Sequence, residues 1–540
     1  MAVLEPRSGS LQPGEPSAPP AIELRDIHKY FGSVHANRGV SLAVAAGSIT
    51  GIIGENGAGK STLMSILYGL YAADSGTILI DGSPTPIHGP HDAIAAGIGM
   101  VHQHFMLVDT FTVLENLMLG AEDGPLLRRS RARARAEIER LGREYGLKVD
   151  PEALVGDLPV GEQQRVEILK VLYRGARILI LDEPTGVLTP QETDQLFRIL
   201  EALRQRGVTI ILITHKLREI LAITDEVYVM RQGRMVAHRR TVATDREELA
   251  ELMVGRKVRL DLDKPACHAG AVLLEARDIS LRDRRGVVLL DHVSLSLRAG
   301  EIVGIAGVSG NGQSELLEVL AGIRAPDQGE IILGARVIDA DARSDPAEMR
   351  RLGLGHVPED RRRYGMVAAF AADETAILGY QHEARFNRGC LLDRRAMQKH
   401  CAGLMQHYDV RPPRPALASA SFSGGNQQKL ILARELEHNP KILLVGQPTR
   451  GVDIGAIEFI HRELVRMRDA GCAVLVVSVE LEEVMALADR ILVMFAGRIV
   501  GEVPGERADE RTLGLMMANA WDPETAGRAG GGQPVASVGR

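Results

Sequence analysis

The sequence predicts an α/β fold that consists of two tandem copies of one domain. Its 540 residues are too many for a single hydrophobic core. Hydrophobic residues make up 45% of the chain but aromatic residues only 4%, so Leu, Ile, Val and Ala must build the cores. Short apolar runs alternate with helical patterns, as in VTIILIT followed by HKLREILAI (208–223). This alternation is typical of a largely parallel sheet flanked by helices.

The two copies are visible as an internal repeat. GVSLAVAAGSITGIIGENGAGKST, which ends at Thr62, has its counterpart in HVSLSLRAGEIVGIAGVSGNGQSE, which ends at Glu315. LPVGEQQRVEILKVL likewise matches FSGGNQQKLILAREL, and ILILDEPTGVLT matches ILLVGQPTRGVD. We therefore predict a first domain over 22–255, a linker over 256–271, a second domain over 272–520, and disordered tails at 1–21 and 521–540. Helices of an inserted helical subdomain are predicted at 128–145 and 394–407.

Composition and charge exclude several classes of function. The formal net charge of −6 provides no global positive field that would attract nucleic acid. The four cysteines form no CxxC pair, which argues against a zinc site and a disulfide framework and indicates a reducing, cytosolic compartment. No stretch reaches the roughly 20 apolar residues that a bilayer span requires.

A phosphate-binding loop is predicted where the first copy reads GENGAGKS. The pattern GxxxxGK[ST] lies between a predicted strand at 48–53 and a predicted helix at 62–70, as its mechanism requires. Glycines let backbone N–H groups turn toward phosphate oxygens, Lys60 supplies a positive charge and Ser61 a hydroxyl for Mg²⁺. The predicted nucleotide-binding residues of this loop are Gly54, Glu55, Asn56, Gly57, Ala58, Gly59, Lys60, Ser61 and Thr62.

Two adjacent carboxylates follow the apolar run ILIL. Asp182 is placed to hold Mg²⁺, and Glu183 to orient the water that attacks the terminal phosphate of ATP. The cofactors that these motifs predict are ATP and Mg²⁺.

Between these motifs, Leu158–Gln163 resembles the signature LSGGQ, which precedes such an acidic strand at this spacing in ATP-binding-cassette (ABC) proteins. The resemblance implies RecA-like P-loop cores, each with a helical and a small antiparallel β subdomain. It also implies that Gln103 is a catalytic and metal-binding glutamine, that His215 is the catalytic switch histidine and that Phe31 stacks on adenine.

The second copy departs from this pattern. Gln313, followed by Ser314, stands where the first copy has its lysine, so phosphate is held more weakly there. Gly446 and Gln447 replace the two carboxylates, and Val479 replaces the switch histidine. We predict that this copy does not hydrolyse ATP alone, although its loop could still bind a nucleotide.

ABC domains work as head-to-tail pairs, and this family property implies two composite sites. The complete site would combine the first loop with the second signature, whose nucleotide-binding residues are Ser423, Gly424, Gly425 and Asn426. The degenerate site would combine the loop of Gln313 with the first signature, in which Pro159 replaces serine. Thr189 in the first copy aligns with Asp453 in the second. The aspartate would face the complete site, whereas Thr189 stands where an aspartate would face the degenerate site.

The segments 163–192, 356–362 and 447–458 most resemble ATPase subunits of bacterial nucleoside importers. This resemblance implies two transmembrane permease subunits and an extracytoplasmic solute-binding protein as partners, and a peripheral position at the cytoplasmic face of the membrane. An importer for ribose, galactose or xylose is the alternative. An ABC-F translation factor is a further one, although it predicts two intact sites and a long charged linker.

Overall fold

The computed structural model describes residues 19–519, except residues 33, 56, 103–104, 121–126, 187, 258–261, 263, 309, 390, 451 and 453. Most of both predicted tails and part of the predicted linker therefore lie outside the described residues. In the described part, the two predicted copies share the order of their main elements and the connections of their two large sheets, and the second copy adds a short pair of strands at 387–388 and 391–392.

The first half, which we define as residues 22–255, alternates strands and helices. Its elements are β1 (Ile22–Phe31), β2 (Val34–Val44), β3 (Ile49–Ile53), α1 (Lys60–Leu67), β4 (Ser75–Ile80), β5 (Ser83–Pro84), α2 (Pro90–Ala95), β6 (Ile98–Val101), α3 (Val113–Met118), α4 (Leu127–Tyr145), α5 (Val160–Tyr173), β7 (Ile178–Asp182), α6 (Pro190–Gln205), β8 (Thr209–Ile213), α7 (Leu217–Ile223), β9 (Glu226–Arg231), β10 (Arg234–Arg240) and α8 (Arg246–Val254).

The second half, residues 272–520, follows the same plan. Its elements are β11 (Val272–Arg282), β12 (Val288–Arg298), β13 (Ile302–Ala306), α9 (Gln313–Leu320), β14 (Gln328–Leu333), β15 (Arg336–Ile338), α10 (Pro346–Arg351), β16 (Leu354–Val357), α11 (Ala372–Thr375), β17 (Asn387–Arg388), β18 (Leu391–Leu392), α12 (Arg394–His407), α13 (Gly424–Leu436), β19 (Ile442–Gly446), α14 (Ile454–Asp469), β20 (Ala473–Ser478), α15 (Leu481–Leu487), β21 (Arg490–Phe495), β22 (Arg498–Pro504) and α16 (Glu510–Met517).

Each half contains two large sheets, and the second half also contains the two-stranded sheet β17-β18. An antiparallel sheet has the strand order β2-β1-β4-β5, and a second sheet has the order β10-β9-β3-β8-β7-β6, in which only β10 runs antiparallel to its neighbour. The central strands β3, β7 and β8 are buried along their whole length. This pattern fits a parallel sheet covered on both faces, which reads as a continuous apolar run.

The sequence predictions of the α/β class and of the helical insertions are confirmed, with small shifts of the boundaries. Helix α1 begins at Lys60 and not at Thr62, because Gly59 has a φ of 101° and serves as its N-cap. The helix ends at Leu67, and Gly69 follows with a φ of 81°. The early start places Lys60 and Ser61 in the first helical turn, where free backbone N–H groups point out of the helix.

The linker is held against the second half where it is described. Lys264 Nζ donates hydrogen bonds to the carbonyl oxygens of Leu487 and Ala488, and it lies 2.9 Å from Asp489 Oδ1. Because α8 ends at Val254, only a short piece of chain separates the first half from this attachment point.

Candidate functional site

The phosphate loop packs against its neighbours so closely that two of its glycines have no room for a side chain. A Cβ atom at Gly54 would lie 2.2 Å from the carbonyl oxygen of Met230. A Cβ atom at Gly59 would lie 2.6 Å from the carbonyl oxygen of Ala36, and the φ of Gly59 already favours glycine. The loop therefore rests on β9 and β2, which fixes its position above the end of β3.

Lys60 closes the loop on itself. Its Nζ donates to the carbonyl oxygens of Gly54 at 2.6 Å and Glu55 at 3.1 Å, and the residue is 6% exposed. Burial lowers the pKa of Lys60, although the negative charges of Glu183, Asp182 and Glu55 act in the opposite direction. Phosphate oxygens would offer this ammonium group stronger partners than carbonyls, because hydrogen bonds between charged groups are stronger than neutral ones.

Asp182 is the last residue of β7 and is 8% exposed. Burial and the neighbouring charge of Glu183 raise the pKa of Asp182, while a hydrogen bond from the Ser61 hydroxyl and the charge of Lys60 lower it. A buried carboxylate beside a hydroxyl is a set of hard oxygen donors, which is what Mg²⁺ prefers. These two residues therefore fit a magnesium ion, whose charge would compensate the buried carboxylate.

Glu183 turns away from the strand in a left-handed conformation, with a φ of 48°. Its amide donates to the carbonyl oxygen of Ile213 at 2.8 Å, and His215 Nδ1 donates to Glu183 Oε1 at 2.9 Å. Burial raises the pKa of Glu183, but the hydrogen bond and charge of His215, together with Lys60 and Lys216, outweigh it and hold the pKa below its usual value. Glu183 is therefore kept ionised, as a group that orients or deprotonates water must be.

The phosphate loop of the second half satisfies its own hydrogen bonds. Gln313 Nε2 donates to the carbonyl oxygen of Val308 at 3.0 Å, as a lysine would. Its Oε1 accepts from the Asn311 amide at 3.1 Å, which a lysine could not do. The Asn311 N–H also donates to the Val308 carbonyl oxygen, as the equivalent Ala58 N–H donates to Glu55 in the first loop, so Gln313 ties the second loop to itself without supplying a positive charge.

In the second half, the carboxylate that binds the serine of the phosphate loop belongs to Glu359. Glu359 accepts a hydrogen bond from the Ser314 hydroxyl, and its Oε1 lies 3.3 Å from Arg450 Nη1. Glu359 also fills the space beside Gly446, where a Cβ atom would lie 2.9 Å from the Glu359 amide nitrogen and 2.9 Å from Leu317 Cδ1. The glycine that replaces the metal-binding aspartate is therefore part of a repacked site.

Gln447 has the same backbone conformation as Glu183, but its side chain cannot ionise. Its φ is also 48°, and its amide donates to the carbonyl oxygen of Val477 at 2.7 Å. Its Oε1 accepts from the backbone N–H of Val479 at 3.2 Å, so a neutral contact replaces the pair of Glu183 and His215. The second half thus preserves the geometry of the strand end and loses its titratable groups.

Three of the predicted catalytic residues of the first half, Lys60, Glu183 and His215, lie on one cavity of about 1670 Å³ between the two halves. Lys60, Asp182, Glu183 and His215 line it, together with Gly57, Gly59, Ser61 and Thr62, and Ser314 lines it from the second half. Gly54, Glu55 and Ala58 complete the first loop without lining the cavity. Asn56, Gln103 and Asp453 lie outside the described residues.

The second signature is not brought to the first loop. Ser423, Gly424, Gly425 and Asn426 do not line the cavity that holds Lys60. Ser423 is the exposed N-cap of α13, and its hydroxyl accepts from Asn426 Nδ2 at 2.8 Å. Pro159 is the N-cap of α5 and offers no side-chain cap, whereas Thr189 caps α6 by accepting from the Glu192 amide. Phe31 is 42% exposed and packs edge-on against Tyr71 outside this cavity.

Glu359 stands at the position of the second half that corresponds to Gln103, and its bond to Ser314 was not predicted from the sequence. The available signal was a compensating pair of changes, because the second half loses a carboxylate at Gly446 and gains one at Glu359.

Comparison with known proteins gives the same assignment for both halves. The family described as ABC transporter matches residues 37–186 and 290–450. The chain is 47% identical over 510 residues to the guanosine import ATP-binding protein NupO of Bacillus subtilis, covering 94% of this chain and 99% of that protein. It is 45% identical to the nucleoside import ATP-binding protein NupA of Lactococcus lactis, with 92% and 97% of the two chains covered. It is 40% identical to the ribose import ATP-binding protein RbsA 1 of Rubrobacter xylanophilus, with 93% and 99% covered.

The repacked second site leads to a prediction about stability. We expect Gly446→Asp to destabilise the protein by about 1–3 kcal/mol, because the new side chain overpacks the space that Glu359 fills and faces its charge. The midpoint of thermal unfolding should fall by about 2–4 °C for each kcal/mol. Adding Glu359→Gln should recover part of the loss, because it removes the like charge. An unchanged midpoint for Gly446→Asp alone would contradict the packing described here.

Proposed function

We propose, from the premise that this chain belongs to the ABC transporter family, that it hydrolyses ATP at a single composite site to power import of a nucleoside. The observation that carries the proposal is the convergence of Lys60, Asp182, Glu183 and His215 on one cavity, while the corresponding groups of the second half are replaced.

The first half has the groups that ATP hydrolysis requires. Lys60 would exchange its two carbonyl partners for phosphate oxygens. The free backbone N–H groups at the start of α1 would also bind phosphate, and they form the positive end of the helix dipole. Glu183 would accept a proton from, or orient, the attacking water, while His215 holds its carboxylate in place. Ser61 and Asp182, with the predicted Gln103, would hold Mg²⁺, which supplies charge neutralisation for the phosphates.

The complete site requires the two halves to close. Ser423 is exposed at the N-terminus of α13, so its hydroxyl could reach a terminal phosphate once the second half approaches the first loop. ATP would favour this closed arrangement because it contacts both halves there, and hydrolysis would remove that preference. The second loop would take part in closure without hydrolysis, since Gln447 and Val479 offer no base.

Membrane permeases are the partners that this cycle needs. Within the described part of the chain, every helix is too short or too polar to cross a membrane. A groove of about 240 Å³ in the first half, lined by His102, Met106, Glu167 and Lys170, supports a docking site for a permease. Met106 is 62% exposed, yet its backbone is held by Glu167 Oε1 and Lys170 Nζ, so an apolar side chain is presented rigidly. We propose a peripheral position at the cytoplasmic face of the membrane, with two permease subunits and an extracytoplasmic solute-binding protein.

Nucleosides are the proposed solute because the relatives named for nucleoside import are 45–47% identical to this chain, against 40% for the ribose importer. A sugar importer is the second candidate, since the alignment with the ribose importer covers 93% of this chain. The experiment is uptake of labelled guanosine and labelled ribose in a strain that lacks this chain. Loss of guanosine uptake with normal ribose uptake supports the proposal, and loss of ribose uptake alone would replace it. If both are normal, recovery of ribosomes instead of membrane subunits with the tagged chain would favour the translation-factor alternative.

Hydrolysis by one half leads to a paired prediction. We expect Glu183→Gln to reduce steady-state ATPase activity about 100-fold or more, because the group that positions the water loses its charge. Gln447→Ala, at the equivalent position of the second half, should leave the activity within about twofold, because only a contact to the Val479 amide is lost. Phosphate release by the purified chain with its permeases measures both, and comparable losses would refute the single-site assignment.

The contact between His215 and Glu183 predicts a change in the pH dependence. Glu183 works in its ionised form, so activity is lost as the pH falls through its pKa. His215→Ala removes the hydrogen bond that lowers this pKa and leaves the effect of burial, so the residual activity should be lost at a higher pH than in the wild type. His238→Ala is the matched control, because His238 pairs with Glu226 on an exposed strand. An acidic limb at the wild-type pH in His215→Ala would contradict the role of this contact.

A further inference from the structure

The two halves meet through equivalent elements that carry opposite charges at three of their positions. Helices α7 and α8 of the first half correspond to α15 and α16 of the second, at one constant offset along the sequence. HKLRE at the start of α7 corresponds to VELEE at the start of α15, and DREEL at the start of α8 corresponds to DERTL at the start of α16. The basic residues of the first half are thus exchanged for acidic ones at the equivalent positions: Lys216 for Glu480, Arg218 for Glu482 and Arg246 for Glu510.

These six residues, which we call the charge-exchanged face, bind one another across the halves. Lys216 Nζ lies 2.8 Å from Glu480 Oε2, so the central pair joins equivalent positions. The outer pairs exchange partners: Arg218 bonds to Glu510, and Arg246 Nη2 lies 3.4 Å from Glu482 Oε2. Such reciprocity is the pattern of a two-fold interface, in which residue i contacts j and j contacts i.

Neighbouring contacts follow the same pseudo-two-fold symmetry. Helix α6 contacts α16, and its equivalent α14 contacts α8. Gln191 Nε2 donates to the Arg511 carbonyl oxygen at 3.4 Å on one side, and Arg256 Nη1 lies 3.1 Å from Glu458 Oε2 on the other. Lys216 directly follows the switch residue His215, and the charge-exchanged face lines the same cavity as Lys60.

We propose that the charge-exchanged face selects the pairing of unlike halves, so that a first half pairs with a second half and not with a first half of another chain. In a pair of first halves the same symmetry would place Lys216 against Lys216 and Arg218 against Arg246, and in a pair of second halves glutamates would face glutamates. Both like pairs are repelled, whereas the unlike pair is attracted.

The selection matters because only the unlike pair can build the complete site. A pair of first halves would present two intact loops to two signatures that contain Pro159, and a pair of second halves would present two loops without lysine. This consequence rests on the proposed function, whereas the pairing itself does not.

The test uses the full chain and a zero-length carbodiimide, which condenses an amine with a carboxylate that it contacts. Peptide mass spectrometry should find Lys216 joined to Glu480 within one chain. Arg218→Glu/Arg246→Glu keeps both cross-linking groups but makes the face of the first half repel that of the second. Its cross-link yield should fall roughly tenfold or more. Adding Glu482→Arg/Glu510→Arg should restore the yield. Arg131→Glu/Arg135→Glu, an equal charge change on the exposed face of α4, is the control and should keep the yield.

Mixing two chains tests the selection itself. The chain with Arg218→Glu/Arg246→Glu and the chain with Glu482→Arg/Glu510→Arg should each form little cross-link alone, but together they should form one between chains, at twice the single-chain mass. An undiminished yield in either double variant, or no recovery in the fourfold variant, would overturn the proposal. ATPase activity is measured separately. If the cross-links change as expected and the activity does not, the composite site of the proposed function fails and the pairing stands.

Discussion

The hydrogen bond from the Glu183 amide to the carbonyl of Ile213 fixes the position of the catalytic side chains at the end of the central sheet. It ties the end of β7 to the end of β8, and the left-handed turn at Glu183 then directs the side chain toward His215. Asp182, one residue earlier, points to Ser61 at the start of α1. Two strands and one helix therefore bring four functional groups together, and a shift of any of these elements would separate them.

The same bond exists in the second half, where the Gln447 amide donates to Val477. At this strand end the backbone is thus the same in both halves, and the difference there lies in the side chains. Gln313, Glu359 and Gln447 each find a hydrogen-bond partner inside the second half. At these three positions the second site is repacked and not merely damaged, because each replaced group has a hydrogen-bond partner.

Local sequence patterns were sufficient for the α/β class, the phosphate loop and the acidic strand end, because each depends on residues close together in the chain. The start of α1 at Lys60 was missed by two residues, since it depends on the conformation of Gly59. The bond between Ser314 and Glu359 could not be derived, because it joins distant segments whose approach depends on the space at Gly446. The facing of Lys216 and Glu480 likewise requires the arrangement of two whole domains.

The anchoring of Lys264 to Leu487 and Ala488 limits how far the halves can part. The chain from Val254 to Lys264 spans at most about 35 Å even when fully stretched, given a reach of about 3.3–3.6 Å per residue. Over such a distance each half experiences its partner at a local concentration of about millimolar or higher. At about 1 mM, a binding free energy of about 4 kcal/mol is enough to keep the halves associated. The surface ion pairs, worth about 0–1 kcal/mol each, supply part of it together with the packing of α6 on α16 and of α14 on α8. Any re-association of the halves is therefore an intramolecular event, and its rate is independent of how much of the protein a cell contains.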